Sequence, residues 1–418
     1  MKKIGIVGTG ITGLSLGQLL RAEHQVTLFE RAEKIGGLVK CERIEDNLFH
    51  RVGGHVFNSR NQAVLDWFWS FFDRETEFVK ANRNAKILFN GKLIGYPIEN
   101  YLHELDKETV SAIFDDLLCI NAKGEAKKPL DYPHFEAFLL GNFGQTLYNL
   151  YFKPYNTKIW NTDLEQVPLA WLYGKLPMPN LKEICMSNVV KKEEEGMVHA
   201  TFYYAKENGS QFIVDRLAKD LDILTGSAVE KIEKDGKKLI VNGQVFDNVV
   251  YTGDVRSLSR AIAFENGKLH DALKAITNLP SNGTSNIFCE CDRTDISWLY
   301  LPNDDIAAHR IIYTGTFAES NNRGSDRITC VVEFSGKHEY EFMKEQIKSL
   351  PGNLKALAYN YEPNSYVLQQ IDTKAKVDLA KELLAEEGIY LAGRFAEWEY
   401  YNMDKAIEAA MELKQKLA

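Results

Sequence analysis

Three glycines near the start of the chain stand where only bare backbone serves a phosphate. Gly8, Gly10 and Gly13 form G-x-G-x-x-G in GTGITG, after the apolar run KKIGIVG and before the helical pattern TGLSLGQLLRAE. In that setting Gly8 permits the tight turn, Gly10 lets the backbone approach a pyrophosphate, and Gly13 lets helix pack on strand. The helix N-terminus offers amide donors and partial positive charge to the phosphates. Glu30 ends a second strand pattern, QVTLFE, twenty residues after Gly10, and suits a ribose diol. The chemistry predicted is dinucleotide binding. Farther on, RVGGHVFNSR sets Gly53 and Gly54 before His55. These residues read either as a turn into a half-buried strand or as bare backbone and one polar ring packed on a ligand.

The elements that must position these residues follow from periodicity. There is one such fingerprint, so separate domains for two dinucleotides are not expected. SRNQAVLDWFWSFFD reads as a helix with Val64, Leu65, Phe68 and Phe72 on one face. ILFNGKLIGYP reads as a hairpin turning at Asn-Gly. Helical periodicity dominates 98–170, broken by an exposed loop at 121–133, and KKEEEG (191–196) reads as a solvated turn. TFYYA, LIVNG, NVVYTG, SNIFCEC, SWLYLP, HRIIYTGTF and RITCVVEF read as strands, so the second half is expected to carry an antiparallel sheet. GIYLAGR reads as a strand meeting a tight turn, with a helix after it from Met403, N-capped by Asn402.

The composition excludes several classes. The chain has 418 residues and a net charge of −8, which argues against a nucleic-acid binder, since a phosphate backbone demands a basic surface. Any anionic substrate is then held by locally placed cations. Six cysteines (Cys41, Cys119, Cys185, Cys289, Cys291, Cys330) show no metal-ligand spacing, so no metal site is expected and the thiols are read as reduced. No secretion signal or uncharged run long enough to span a membrane is found, and a cytoplasmic location is expected.

KIGGL places Gly36, Gly37 and Leu38 just beyond Glu30. An acid followed by Gly-Gly-Leu resembles the FAD-binding half of the flavin amine oxidase superfamily. That resemblance implies FAD, a second close backbone approach at Gly37, and a return of the chain to the isoalloxazine at Gly53, Gly54 and His55. Further segments resemble the UDP-galactopyranose mutase family: VGGHVF (52–57), YFKPYNTKIW (151–160), AWLYGKLPMPNLK (170–182), SWLYLP…HR (297–310), YVLQQ (366–370) and GRFAEWEYYNMD (393–404). The likeness runs in order from residue 1 to about residue 415.

The resemblance implies an α/β fold: a discontinuous Rossmann-like FAD-binding domain (1–75, 208–270, 385–418), a helical domain (98–170), and an antiparallel-sheet substrate domain (76–97, 171–207, 271–384). It implies a reaction in which reduced flavin N5 attacks the anomeric carbon of a UDP-sugar and UDP leaves, pyranose and furanose interconverting without net redox. An external reductant for the flavin and a homo-oligomer are compatible with it. By resemblance, Arg310 and Lys175 clamp the diphosphate; the family usually has arginine at the second position. Tyr300, Tyr366 and Tyr400 donate to phosphates, Tyr155 stacks on uracil, and Asn156, Trp160 and His199 contact nucleotide, sugar or phosphate. Val229, Gly393, Arg394, Asn402, Met403 and Asp404 line the cofactor. Two alternatives stay open: a superfamily oxidase or desaturase acting on an apolar substrate, and a non-catalytic binder of flavin and UDP-sugar.

Overall fold

The computed structural model describes residues 1–124, 127–172, 178–191 and 200–417. Lys3–Val7 and Gln25–Phe29 pair in parallel at the centre of a five-stranded sheet. Asn248–Tyr251 and then Ile389–Leu391 extend it on one side, and Asp222–Leu224 closes the other. Every pairing is parallel, which explains the continuous apolar runs GIV, VTLF and VVY: a parallel sheet is covered on both faces. Helices Ile11–Leu20 and Met403–Leu417 pack together against it, so the two ends of the chain meet. Lys2 donates to the Leu417 carbonyl at 2.9 Å.

The second large sheet has seven strands in the order Lys355–Val367, Ser281–Cys291, Ile328–Ser335, Ala308–Ile312, Trp298–Tyr300, Ala85–Phe89 and Lys92–Gly95. Neighbours run antiparallel except Trp298–Tyr300 beside Ala85–Phe89. One face is sealed by a core that includes Ile287, Cys289, Ile311, Val332 and Met343. Its other face bears Tyr300, Arg310 and Glu333, which is where the polar chemistry collects. The expected hairpin is present, with Asn90 and Gly91 at φ +48° and +77°.

A helical block follows: Lys107–Ala122, Phe135–Leu147, Lys153–Trp160 and Leu181–Val190. Phe138, Phe143, Tyr151 and Trp171 form much of its core. Pro154 sits in the first turn of Lys153–Trp160, and Asn161 at φ +49° ends that helix. Among the described residues no helix is long and apolar enough to cross a membrane.

Three strands differ from the sequence reading. NVVY enters the parallel sheet, Lys238–Val241 forms a small separate sheet with Ile232–Asp235 and Gln244–Phe246, and Thr201–Ala205 pairs with Phe78–Asn82 in a two-stranded one. Short apolar runs carry no mark of which sheet they join, because burial on both faces erases alternation. The edge strand Lys355–Val367 and the helix Thr373–Glu386 are additional elements, the strand exposing Lys355, Tyr359, Tyr361 and Pro363. The six thiols are all free.

Candidate functional site

The glycine turn has the geometry its sequence demands. Gly8 has φ +105°, and its amide donates to the Phe29 carbonyl at 2.8 Å, tying turn to second strand. A methyl group on Gly13 would lie 2.1 Å from the Gly8 carbonyl oxygen, so nothing larger than hydrogen fits there. Around Gly10 the equivalent space is open, while a methyl on Gly37 would lie 3.2 Å from the Gly10 Cα. The two glycine motifs thus bring bare backbones together at the first helix's N-terminus. Glu30 is buried and braces the turn: it accepts from the Thr9 amide at 3.2 Å, the Thr9 hydroxyl at 2.5 Å and the Ala32 amide at 3.0 Å. Val229 follows Ser227, whose amide donates to the Glu30 carbonyl at 2.8 Å, which sets it beside the same strand end. Gly393, at φ +96°, closes the cradle from the C-terminal part; a methyl there would lie 2.7 Å from the Thr12 hydroxyl.

The Gly-Gly-His segment is built from the other side. Gly53 has φ +66°, and its amide donates to the Glu333 carboxylate at 2.8 Å. A methyl on Gly54 would lie 2.6 Å from Ile312, so this loop presses directly on the seven-stranded sheet. His55 lies close to His50, their ring centroids 5.8 Å apart, and the His55 amide donates to His50 Nδ1 at 3.4 Å. His50 is itself fixed by the Tyr204 hydroxyl at 2.8 Å. Burial, and then the positive charge of Arg394, push the His55 pKa down from 6.5 to about 4, against the Glu333 charge and the Leu38 carbonyl. The ring is therefore neutral at pH 7. Its Nε2 is buried and has no partner among the described residues. A lone buried ring nitrogen beside a glycine cradle fits a ligand that offers it a hydrogen bond. The helix from Met403 is anchored to this loop, as Ser59 donates to Asp404 at 3.3 Å and Asn61 to Glu408 at 2.9 Å. Asn402 passes its carbonyl to the Ala406 amide at 3.0 Å, in the first turn of that helix.

The third group lies on the face of the large sheet opposite the Ile287, Ile311 and Val332 core. Tyr300 and Arg310 are direct cross-strand partners, so both side chains point the same way. Arg310 donates through Nε to Glu333 and through Nη2 to the Tyr366 hydroxyl, the latter at 2.9 Å. Tyr366 stacks on Tyr400 with centroids 5.9 Å apart and planes 5° apart. The Arg394 guanidinium lies over Tyr400, 4.3 Å from the ring centroid, and donates to the Ser365 carbonyl at 2.6 Å. Trp160 meets the edges of Tyr366 and Tyr400 at 5.9 and 6.4 Å. Asn156 accepts from the Trp160 indole at 3.3 Å, one turn apart on the same helix face. Tyr155 packs its face on Tyr151 at 5.5 Å and meets Tyr300 edge-on at 5.6 Å. Arg310, Arg394, Tyr155, Asn156, Trp160, Tyr300, Tyr366 and Tyr400 therefore converge on one region. Lys175 and His199 lie outside the described residues.

Several residues of this region carry no signal in the sequence reading. Arg83 donates to the Tyr300 hydroxyl and sits over Trp298 at 4.8 Å and Tyr96 at 5.4 Å. Lys158 donates to the carbonyls of Leu301, Asn303 and Ile306 at 2.9, 2.6 and 2.8 Å, fastening the 153–160 helix to the sheet. Burial lowers its pKa to about 8, which leaves the ammonium charged at neutral pH. Glu333 is fully buried. Burial alone would raise its pKa; the Arg310 charge and then His309 hold it far below the usual carboxylate range. The one clue to Glu333 is a lone acid inside an apolar strand, ITCVVEFS. A carboxylate there demands a buried cation.

Comparison with known proteins places the fold. The sequence model for flavin containing amine oxidoreductases matches residues 11–348. A dTDP-fucopyranose mutase of Escherichia coli is 27% identical over 43% of this chain, and the match spans about half, 46%, of that relative's length. A UDP-galactopyranose mutase of Mycoplasma genitalium is 22% identical over 99% of this chain and 94% of its own. A crystal structure of reduced UDP-galactopyranose mutase superposes with a TM-score of 0.87 at 21% identity, over 100% of this chain and 94% of that one. The fold is therefore that of the mutase.

Proposed function

This chain belongs to the flavin containing amine oxidoreductase family, and from that premise we propose that it is an FAD-dependent mutase interconverting pyranose and furanose forms of a nucleoside diphosphate sugar, of the UDP-galactopyranose type. The cofactor is FAD. The observation that carries the reading is the wall on which Arg310, Tyr366, Tyr400 and Arg394 interlock beside the Gly53–His55 loop.

When bound and reduced, the flavin supplies an electron-rich nucleophile for the anomeric carbon. The chain's own residues then have three tasks. The glycine turns at 8–13 and 36–37 would admit the pyrophosphate of the cofactor, and Glu30 would meet its ribose. His55, neutral, offers Nε2 to the ring edge. Arg394 and the N-terminus of the helix from Met403 favour negative charge on the ring, the helix by about 0.3–2 kcal/mol.

On the nucleotide side, Arg310 is already oriented by Glu333 and Tyr366. A preoriented cation stabilises the charge that grows on a departing diphosphate without reorganising at that moment. The phenols of Tyr300, Tyr366 and Tyr400 add neutral donors. Tyr155, Asn156 and Trp160 stand where base and sugar would be gripped, and Lys175 would be a second, point-charge cation without the bidentate fork of arginine. An oxidase acting on an apolar amine or alkyl chain needs an apolar tunnel, whereas this wall is cationic and phenolic.

Titration with UDP tests the reading. UDP is expected to bind saturably. Arg310→Ala is expected to weaken it at least thirtyfold, about 2 kcal/mol, with FAD still bound. Unchanged UDP affinity in that variant would remove Arg310 from the site.

A further inference from the structure

We propose that Glu333 is a positioning residue that joins the nucleotide clamp to the flavin-facing loop, an inference that rests on the reading of the site given above. Glu333 lies on strand Ile328–Ser335, with its side chain 0% exposed. Its two oxygens serve two different parts of the site. Oε1 accepts from the Gly53 amide at 2.8 Å. Oε2 accepts from Arg310 Nε. His309 Nε2 stands 3.4 Å from Oε2, and burial lowers the pKa of that ring against the Glu333 charge. A buried carboxylate is tolerated only when its lone pairs are used, and here one is spent on the Gly53 loop and one on Arg310.

Each contact leads onward to a group that faces ligand. The Gly53 amide sets the turn that presents His55; a methyl on Gly53 would lie 3.5 Å from the His55 ring. On the other side Arg310 reaches Tyr366, whose ring stacks on Tyr400 beneath Arg394. A diphosphate that draws on the Arg310 charge competes with Glu333 for the same guanidinium. Glu333 would then lean more on the Gly53 N–H, and the Gly53–His55 loop would feel the nucleotide. Linkage makes the effect reciprocal: flavin oxidation state must change nucleotide affinity through the same carboxylate.

The test measures UDP dissociation constants for oxidised and dithionite-reduced holoenzyme, in the native protein and in Glu333→Gln. The native constants are expected to differ at least threefold between oxidation states, equivalent to a shift of about 14 mV in the two-electron potential. In Glu333→Gln, which keeps the shape and one acceptor, the ratio is expected to fall within 1.5-fold. A structural role alone would weaken both states equally and leave the ratio intact, and that result, or equal constants in the native protein, would overturn the proposal. Should the variant lose FAD, hydrogen–deuterium exchange of residues 49–58 in the native holoenzyme decides. Added UDP is expected to change protection at Gly53, and unchanged protection would overturn the coupling. Failure of the native protein to bind UDP in either state would instead overturn the reading of the site itself.

Discussion

His55 carries a consequence that extends beyond its place beside the glycine cradle. Its ordinary pKa of 6.5 falls to about 4 in the fold. Between those two values the unfolded chain binds a proton at this residue that the folded chain refuses. Stability therefore falls as pH falls through that window, by at most about 1.4 kcal/mol per pH unit for one such histidine. His50 and His309, both pushed down by burial, act with the same sign. Below the ordinary carboxylate range Glu333 adds to the loss, because its folded pKa is depressed and protonation breaks its bond to Arg310. The urea midpoint is expected to drop between pH 7 and pH 5, and a flat midpoint would contradict the burial of these rings. The glycines were legible at this scale because their requirement is local: a turn, a phosphate and a helix start leave room for nothing else. Glu333 was not, because its partners Gly53 and Arg310 lie 280 and 23 residues away in sequence.

At the scale of elements, the helix Lys153–Trp160 is the piece that must stand still for Tyr155, Asn156 and Trp160 to meet the sheet tyrosines. Its sequence shows the helical spacing of Asn156 and Trp160, and nothing of what holds it. That work falls to Lys158, whose ammonium satisfies three carbonyls of the 301–306 loop. Lys158→Met is expected to cost about 2 kcal/mol in urea unfolding and to raise the KM for nucleotide sugar more than it lowers kcat. Native stability with native KM would show the anchor to be dispensable. Strands posed the opposite difficulty. NVVY and RITCVVEF look alike as apolar runs, yet one joins the parallel sheet and the other the antiparallel one. Pairing partners are chosen by the whole chain, so periodicity identifies a strand without saying which neighbour it takes.

Over the whole molecule, three distant parts of the sequence build one parallel sheet, and its helix ends and turns frame the cradle. Residues 3–29, 222–251 and 389–391 supply the strands, while Gly393 closes over Thr12. Neighbouring strands of the seven-stranded sheet set Arg310 beside Glu333, and the Gly53 loop reaches the same carboxylate from 280 residues away. The Gly-Gly-His motif, the PYNTKIW segment and the terminal GRFAEWEYYNMD block are the segments that carry the resemblance, and each contributes side chains to this shared region.

The most direct test of that wall's purpose is product analysis under controlled flavin oxidation state. Holoenzyme, reduced with dithionite or left oxidised, is incubated with UDP-galactopyranose or dTDP-fucopyranose, and pyranose and furanose forms are separated. The account predicts furanose from at least one substrate with the reduced protein, none with the oxidised protein, and no oxygen consumed in stoichiometric proportion to product. Equal turnover by the oxidised protein, or no furanose from either substrate when reduced, would contradict it.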